Sequence, residues 1–242
     1  DQASRGGFRA SAYSVTSLDL PVDNPEQVMI NVPIAGAEYT LVLHRRSLRA
    51  ADYVARVQLE DGSIVEIDAP PVRTYRGTVA EIPGSVVAAS IINGTLTAQI
   101  IPDFGTDWVI QPVSEVDSSV ADDVHVVYNV ADTTPNESWK CGTADIVQPP
   151  QDHQNFGGGG FTPRGGCDYI CEIAFDADVE FYNRNGQSVA ATIADIELVM
   201  NNVEVIYNRD VGIGYLGVAL AFCSLCLALL IPRRPDKGRE TM

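Results

Sequence analysis

Cysteine is the residue type in this chain with the clearest capacity for chemistry, because a thiolate can bind a metal ion and a thiol can form a disulfide. Cys141, Cys167 and Cys171 lie in polar sequence, whereas Cys223 and Cys226 lie inside an apolar run. In an oxidising compartment, a group of three can form one disulfide and leave one thiol free. Two alternatives therefore stay open for Cys141: a free thiol, with a possible disulfide between Cys167 and Cys171, or a disulfide from Cys141 to Cys167 or Cys171.

The histidines do not form a recognisable metal-binding motif. They are His44, His125 and His153, and no two of them lie within one turn of a helix. The chain thus lacks the His-Glu-x-x-His motif, in which two imidazoles face one zinc ion and the glutamate acts as a base. His125 lies in a strand-like run and is predicted to be structural. We expect the chain alone to bind no catalytic zinc and to hydrolyse no peptides.

Composition and charge exclude one class of partner. The chain has 242 residues, of which 45% are hydrophobic, enough for a globular core. Its formal net charge of -16 would repel a phosphate backbone, so nucleic acid is not an expected partner. The chain begins at Asp1 without an apolar, positively flanked leader, so a signal peptide is expected to be absent or removed.

The first half of the chain has the pattern of β-strands. Residues 27–130 alternate apolar and polar side chains, and residues 1–26 precede them as an N-terminal segment. The segments predicted as strands are 27–33, 38–44, 53–59, 63–67, 74–80, 86–91, 95–101, 108–111 and 124–128. Asp61-Gly62 and Asn93-Gly94 suit tight hairpin turns. Asn93 and Asn136 also fit the glycan acceptor pattern, although a turn explains Asn93 better.

The composition then changes twice. Residues 131–166 are rich in Thr, Pro, Gln, Asn and Gly, which predicts a flexible linker. Residues 167–210 contain a predicted strand at 168–175 and a helix at 188–208, with Ser188 as its N-cap. The apolar residues at helical spacing are Val189, Ile193, Ile196, Met200, Val203 and Tyr207. A strand followed by a long amphipathic helix is how an α/β domain begins.

A long uncharged run follows. Residues 211–231 carry no charged side chain, and residues 232–242 carry four basic and two acidic ones. This length and the basic flank predict a transmembrane helix with a cytoplasmic tail, and hence an extracellular or cell-surface position for residues 1–210. The alternative is a buried core helix, or a strand followed by a helix.

Several segments, in order, resemble zinc metalloproteases of the reprolysin (adamalysin) type. The propeptide-like segments are YRGTV at 75–79, SVVAAS at 85–90, GTLTAQI at 94–100, WVIQP at 108–112 and HVVY at 125–128. WKCGT at 139–143 is similar to the cysteine-switch segment of that family. CEIAFDADVEFY at 171–182, with MNNV at 200–203 and VIY at 205–207, resembles the first strand and helix of the mature protease.

The resemblance implies a mechanism of latency. Cys141 would occupy the open coordination position of a catalytic zinc held by the protease catalytic domain, and so displace the attacking water. The resemblance also aligns Glu172 with a residue that helps to bind calcium in some members of the family. A solvated carboxylate is, however, the plainer interpretation of Glu172, Asp176 and Asp178. Zinc, and calcium with it, would belong to the complete protease rather than to this chain.

The sequence thus predicts an α+β chain: a mostly antiparallel β propeptide-like domain, a strand–helix unit like the start of a metzincin catalytic domain, and a transmembrane helix. Its predicted function is that of a propeptide keeping a zinc metalloendopeptidase latent, with an incomplete catalytic domain. The chain departs from the family because the zinc motif is missing. The alternative function is a membrane-anchored extracellular β-rich binding module without protease activity.

Overall fold

A computed structural model of the chain describes residues 8–59, 61–135 and 169–222. The strands in these ranges are β1 (Phe8–Ala10), β2 (Ser14–Ser17), β3 (Gln27–Ile34), β4 (Ala37–Arg45), β5 (Arg49–Gln58), β6 (Ile64–Ile67), β7 (Thr74–Val79), β8 (Ile82–Ile92), β9 (Thr95–Ile101), β10 (Trp108–Pro112), β11 (Val124–Asn129), β12 (Thr133–Pro135), β13 (Tyr169–Ala177) and β14 (Ile213–Phe222). The helices are α1 (Val179–Arg184) and α2 (Val189–Val211), and short 3₁₀ turns span Val113–Glu115 and Val130–Asp132.

Eight strands form one antiparallel sheet, called here the large sheet, in the order β2-β11-β10-β9-β8-β7-β4-β3. Alternate residues of these strands face a single hydrophobic core, as their period of two requires. Its fully buried members include Leu41, Tyr75, Leu96 and Ile110. The sequence pattern of half-buried strands is therefore matched by one continuous core.

The nine strands predicted between residues 27 and 130 are confirmed as β3 to β11. The Asn93-Gly94 turn between β8 and β9 is confirmed too, with φ of 53° and 80° at its two residues, as a tight hairpin turn requires. The prediction missed β1, β2 and β12, which lie in the segments expected to be an N-terminal extension and a linker. Strands of three or four residues are too short to show a period.

A smaller sheet joins distant parts of the chain in the order β13-β14-β5-β6. The β14 strand runs parallel to both of its neighbours, and β5 and β6 form an antiparallel hairpin. The path from β13 through α1 and α2 to β14 is thus a βαβ unit, and a hairpin from the first half of the chain extends its sheet.

Helix α2 lies between the two sheets. It begins at the predicted cap, since the backbone N–H of Ala191 donates to the Ser188 hydroxyl at 3.3 Å. Its apolar side, with Ile193 and Ile196, packs on the small sheet. Val205, on another side, packs against Ala88 and Ile101 of the large sheet. The helix is therefore the element that couples the two sheets.

The predicted transmembrane helix at 211–231 is wrong. No helix in the part of the chain that the structure describes is long and apolar enough to cross a membrane. Gly212, with φ of 70°, caps the C-terminus of α2, and the next ten residues form β14. A strand with parallel neighbours on both sides is an uninterrupted apolar run, which periodicity alone cannot distinguish from a helix. Residues 223–231 lie outside the described ranges.

The architecture predicted from the sequence is therefore wrong in its second half. The chain is mostly antiparallel β, and the strand–helix segment is completed by a parallel strand rather than followed by a membrane span. The cell-surface location depended on that span and is wrong with it. The alternative function, a β-rich binding module, loses its membrane anchor and stays a prediction.

Replacement of Gly77 tests the close approach of β4 and β7. A Cβ atom at Gly77 would lie 2.0 Å from the carbonyl oxygen of Val42 and 2.9 Å from a methyl carbon of Leu43. We expect Gly77→Ala to lower the free energy of unfolding by about 3 kcal/mol, since backbone has to move. Urea denaturation measures this change.

Gly217→Ala is the matched control, because both glycines lie in strands. A Cβ atom there would be 3.7 Å from the ring of Phe175, an ordinary contact. Its free energy of unfolding should stay the same or rise by up to about 1 kcal/mol. Equal losses in the two variants would contradict the packing at Gly77.

Candidate functional site

A group of charged residues holds α2 against both sheets and is called here the arginine cluster: Arg76 lies on β7 of the large sheet, Arg46 directly after β4, and Arg49 on β5 of the small sheet. Its members from the first half of the chain are Arg46, Arg49 and Arg76. Its members from α2 are Glu197, Asn201 and Glu204, which lie at positions i, i+4 and i+7 and hence on one side of the helix. All three helix residues are buried.

The carboxylate of Glu204 is shared by two arginines. Arg46 donates to one of its oxygens at 2.6 Å, and Arg76 donates to the other at 2.7 Å. The Glu204 side chain is only 2% exposed, whereas that of Arg46 is 44% exposed. Each oxygen of this buried carboxylate therefore has a charged donor, which is the condition for leaving a charge in the interior.

Glu197 makes a second, bidentate pair with Arg49. The Nε atom of Arg49 lies 2.5 Å from one carboxylate oxygen, and its Nη2 atom lies 3.1 Å from the other. Arg49 also donates to the carbonyl oxygen of Pro70 at 2.7 Å and lies over the ring of Tyr53 at 5.1 Å from its centroid. A planar guanidinium can form a bidentate ion pair with a carboxylate and stack on an aromatic ring at the same time.

Asn201 binds the backbone of the large sheet directly. Its amide nitrogen donates to the carbonyl oxygens of Tyr75 at 3.0 Å and of Ala89 at 2.9 Å, two residues paired across β7 and β8. Its amide oxygen accepts from Arg76 at 2.7 Å. This one side chain thus links the helix to two strands and to the arginine cluster.

The cluster has one positive charge in excess, since three arginines face two glutamates. Burial lowers the pKa of Arg76, and the nearby Glu204 raises it in opposition. The Nε atom of Arg76 is buried without a hydrogen-bond partner among the described residues. The excess positive charge of the cluster therefore favours a helix that carries acidic residues at this contact.

A small apolar cavity of about 20 Å³ lies beside the cluster, between α2 and the small sheet. Its lining includes Tyr53, Phe175 and Met200. The Tyr53 hydroxyl is buried without a partner in the described part of the chain, and burial raises the pKa of Tyr53 to about 12. The cavity has room for about one water molecule and not for a substrate.

The predicted site residues do not come together here. Cys141 and Cys167, the predicted switch and one half of the predicted disulfide, lie outside the described residues, as does Asn136. Cys171 is a free, exposed thiol on β13 among the residues described. The possible disulfide and the cysteine switch therefore stay predictions.

The acidic residues have ordinary positions. Glu172 and Asp176 are exposed on β13, and Asp178 caps α1 by accepting from the backbone N–H of Phe181 at 2.7 Å. Within residues 8–59, 61–135 and 169–222, no three His, Cys, Asp or Glu residues are grouped as metal ligands. Glu172 thus has no described partner ligands for calcium.

His125 is structural, as predicted. It is fully buried on β11, where its Nδ1 atom lies 2.8 Å from the carbonyl oxygen of Asp123. Its Nε2 atom accepts from the backbone N–H of Leu96 at 2.9 Å. Since a carbonyl oxygen can only accept, the proton is on Nδ1 and the imidazole is neutral.

Sequence reasoning missed the arginine cluster. The signal that could have found it is the polar series Glu197, Asn201 and Glu204 within a helix that already has an apolar side. A second buried side requires a second packing partner. The sequence does not say which arginines supply it, because each is more than one hundred residues away.

No protein-family model matches the chain, and a search of curated proteins finds no match. The resemblance to reprolysin-type proteases rests on the sequence segments alone.

Neutralising Glu204 tests the shared ion pair. We expect Glu204→Gln to lower the free energy of unfolding by about 3 to 5 kcal/mol, because it leaves two arginines, one of them largely buried, without their counterion. Urea denaturation gives the change in the free energy of unfolding, provided that its dependence on urea concentration is the same in the variant and the wild type. Glu66→Gln is the control: it breaks the exposed Arg56–Glu66 pair and should have an effect of less than about 1 kcal/mol. Similar losses in both would argue against a buried pair.

The pH dependence of stability tests His125. Burial lowers the pKa of His125 below its ordinary value of 6.5, so the unfolded chain binds a proton that the folded chain does not. Its contribution to stability is thus present above pH 6.5 and is lost as the pH falls below that value. Urea midpoints between about pH 8 and pH 5 should show the decline.

The decline should persist in His44→Gln, whose histidine is exposed on β4. NMR titration should show the His125 imidazole staying neutral at a pH where an exposed histidine is charged. An ordinary titration of His125 would contradict its buried, neutral state.

Proposed function

We propose that the chain is the propeptide region of a zinc metalloendopeptidase, together with the first elements of the catalytic domain that it holds. The β-rich part, residues 8–135, would keep the protease latent. Residues 169–222 would be the opening βαβ unit of the protease. The proposal rests on the ordered series of sequence segments and on one feature of the fold.

That feature is the contact between the two parts. Every ion pair of the arginine cluster joins an arginine before residue 136 to a glutamate after residue 168. The β5 strand also pairs with β14 across the same junction. A propeptide has to bind the protease that it silences, and a contact in which both buried glutamates are paired with arginines supports that role.

Cys141 would supply the inhibition itself. A thiolate is a good zinc ligand, and in the open position of a catalytic site it displaces the water that attacks the peptide. Gly142 next to it lets the backbone approach a crowded cleft closely. Removing the thiol should therefore weaken inhibition without affecting the fold of the β-rich part.

The zinc would belong to the protease and not to this chain. His125 uses both ring nitrogens in structural hydrogen bonds, and His44 is exposed on β4 without grouped ligands among the described residues. These side chains do not fit a catalytic zinc site. The proposed function is inhibition in trans or in a longer precursor, with no catalytic step by the residues given.

Inhibition assays test the proposal. The full chain is titrated into a mature, active reprolysin-type zinc endopeptidase, and the hydrolysis of a fluorogenic peptide is followed. We expect the wild-type chain to inhibit the protease. The inhibition constant of Cys141→Ser should be at least about tenfold higher, a loss of ~1.4 kcal/mol of binding free energy. Loss of a metal-bound sulfur is the physical reason.

Cys171→Ser is the matched control, because it removes an exposed thiol from a strand. Its inhibition constant should equal that of the wild type. Thiol labelling before and after reduction adds a second measurement. If Cys141 labels only after reduction, or if Cys141→Ser inhibits as strongly as the wild type, the switch is wrong and the disulfide alternative replaces it.

A further inference from the structure

The β-rich part of the chain contacts three polar positions of α2, two from the large sheet and its β4 end and one from β5 of the small sheet. Arg49 binds the carboxylate at Glu197, the carbonyl oxygens of β7 and β8 bind the amide at Asn201, and two arginines bind the carboxylate at Glu204. We propose that this surface of the β-rich part is a recognition site for a helix with Glu, Asn and Glu at positions i, i+4 and i+7. It would select the protease that the propeptide binds.

The selectivity follows from burial. A helix with a neutral residue in place of either glutamate would leave a largely buried guanidinium without its counterion, since the Arg76 and Arg49 side chains are only 18% and 12% exposed. Breaking a buried pair in this way is strongly unfavourable, so the site rejects unsuitable helices more than it rewards the correct one. The excess positive charge of the cluster acts in the same direction.

The other contacts across the junction cannot supply this selectivity. The pairing of β5 with β14 uses backbone groups, which every sequence has. The apolar contacts of Ile193 and Ile196 accept many side chains of similar volume. Asn201 is different, because its amide has to donate to Tyr75 and Ala89 and also accept from Arg76.

The occupant that fits the site is therefore the helix that follows the first strand of the protease catalytic domain. In this chain α2 occupies the site. The identity of the partner rests on the proposed function, whereas the recognition of the three positions rests on the contacts alone.

A nicked form of the full chain tests the site. A recognition sequence for a site-specific protease is inserted after Gly160 and cut, and the protein is kept reduced so that no disulfide from Cys141 bridges the cut and the two pieces are joined only by their contacts. A fluorescent peptide of residues 188–212 is then bound to the nicked chain in exchange for α2, and unlabelled peptides compete for it. Fluorescence anisotropy gives their half-maximal concentrations.

We expect the wild-type peptide to compete, and the double variant Glu197→Gln/Glu204→Gln to require a concentration at least about tenfold higher. The control peptide Asp195→Asn/Asp210→Asn has the same net charge as the Glu197→Gln/Glu204→Gln peptide. It should nevertheless compete like the wild-type peptide. In a nicked Arg49→Met chain, the preference for Glu over Gln at position 197 should disappear, whatever the overall affinity.

Equal competition by the two double variants would overturn the proposal, because recognition would then be apolar or merely electrostatic. It would also be overturned if the wild-type peptide never exchanged, or if the nicked pieces did not bind each other. The assay contains no protease and no zinc. Failure of Cys141 to inhibit would therefore sink the proposed function and leave this result standing.

Discussion

The structure depends on one physical constraint: the charges buried on α2 have to be neutralised and hydrogen-bonded. Glu204 is almost fully buried, and its two oxygens bind Arg46 and Arg76. Without these partners, the helix could not turn its polar side toward the large sheet, since an unpaired buried carboxylate is strongly unfavourable. The arginine cluster therefore fixes the rotation of the helix about its axis and its distance from the sheet.

The rest of the second half of the chain follows from that position. With Asn201 and Glu204 held by the large sheet, α2 presents Ile193 and Ile196 to the small sheet. The βαβ connection then places β14 parallel to β13, and the hairpin of β5 and β6 completes the sheet. A parallel strand pair needs such a helical crossover, so the polar contact on one side of α2 and the parallel sheet on the other depend on each other.

This arrangement would allow the proposed propeptide to bind its protease both tightly and selectively. The apolar core and the backbone pairing supply contact area, whereas the arginines and Asn201 make the contact sensitive to three side chains. Cys141 is a separate element, which would act on the zinc of the protease. Binding and inhibition would thus be carried by different residues, which makes them separable in experiment.

The sequence by itself determined the nine strands of residues 27–130, the Asn93-Gly94 turn, the start of α2 at Ser188 and the structural role of His125, because alternation, turn chemistry and capping depend on neighbouring residues. Only the tertiary structure decided that the apolar run after Gly212 begins as a strand and that Glu197, Asn201 and Glu204 are buried. Those outcomes depend on contacts between residues more than one hundred positions apart, and no local pattern encodes the partner.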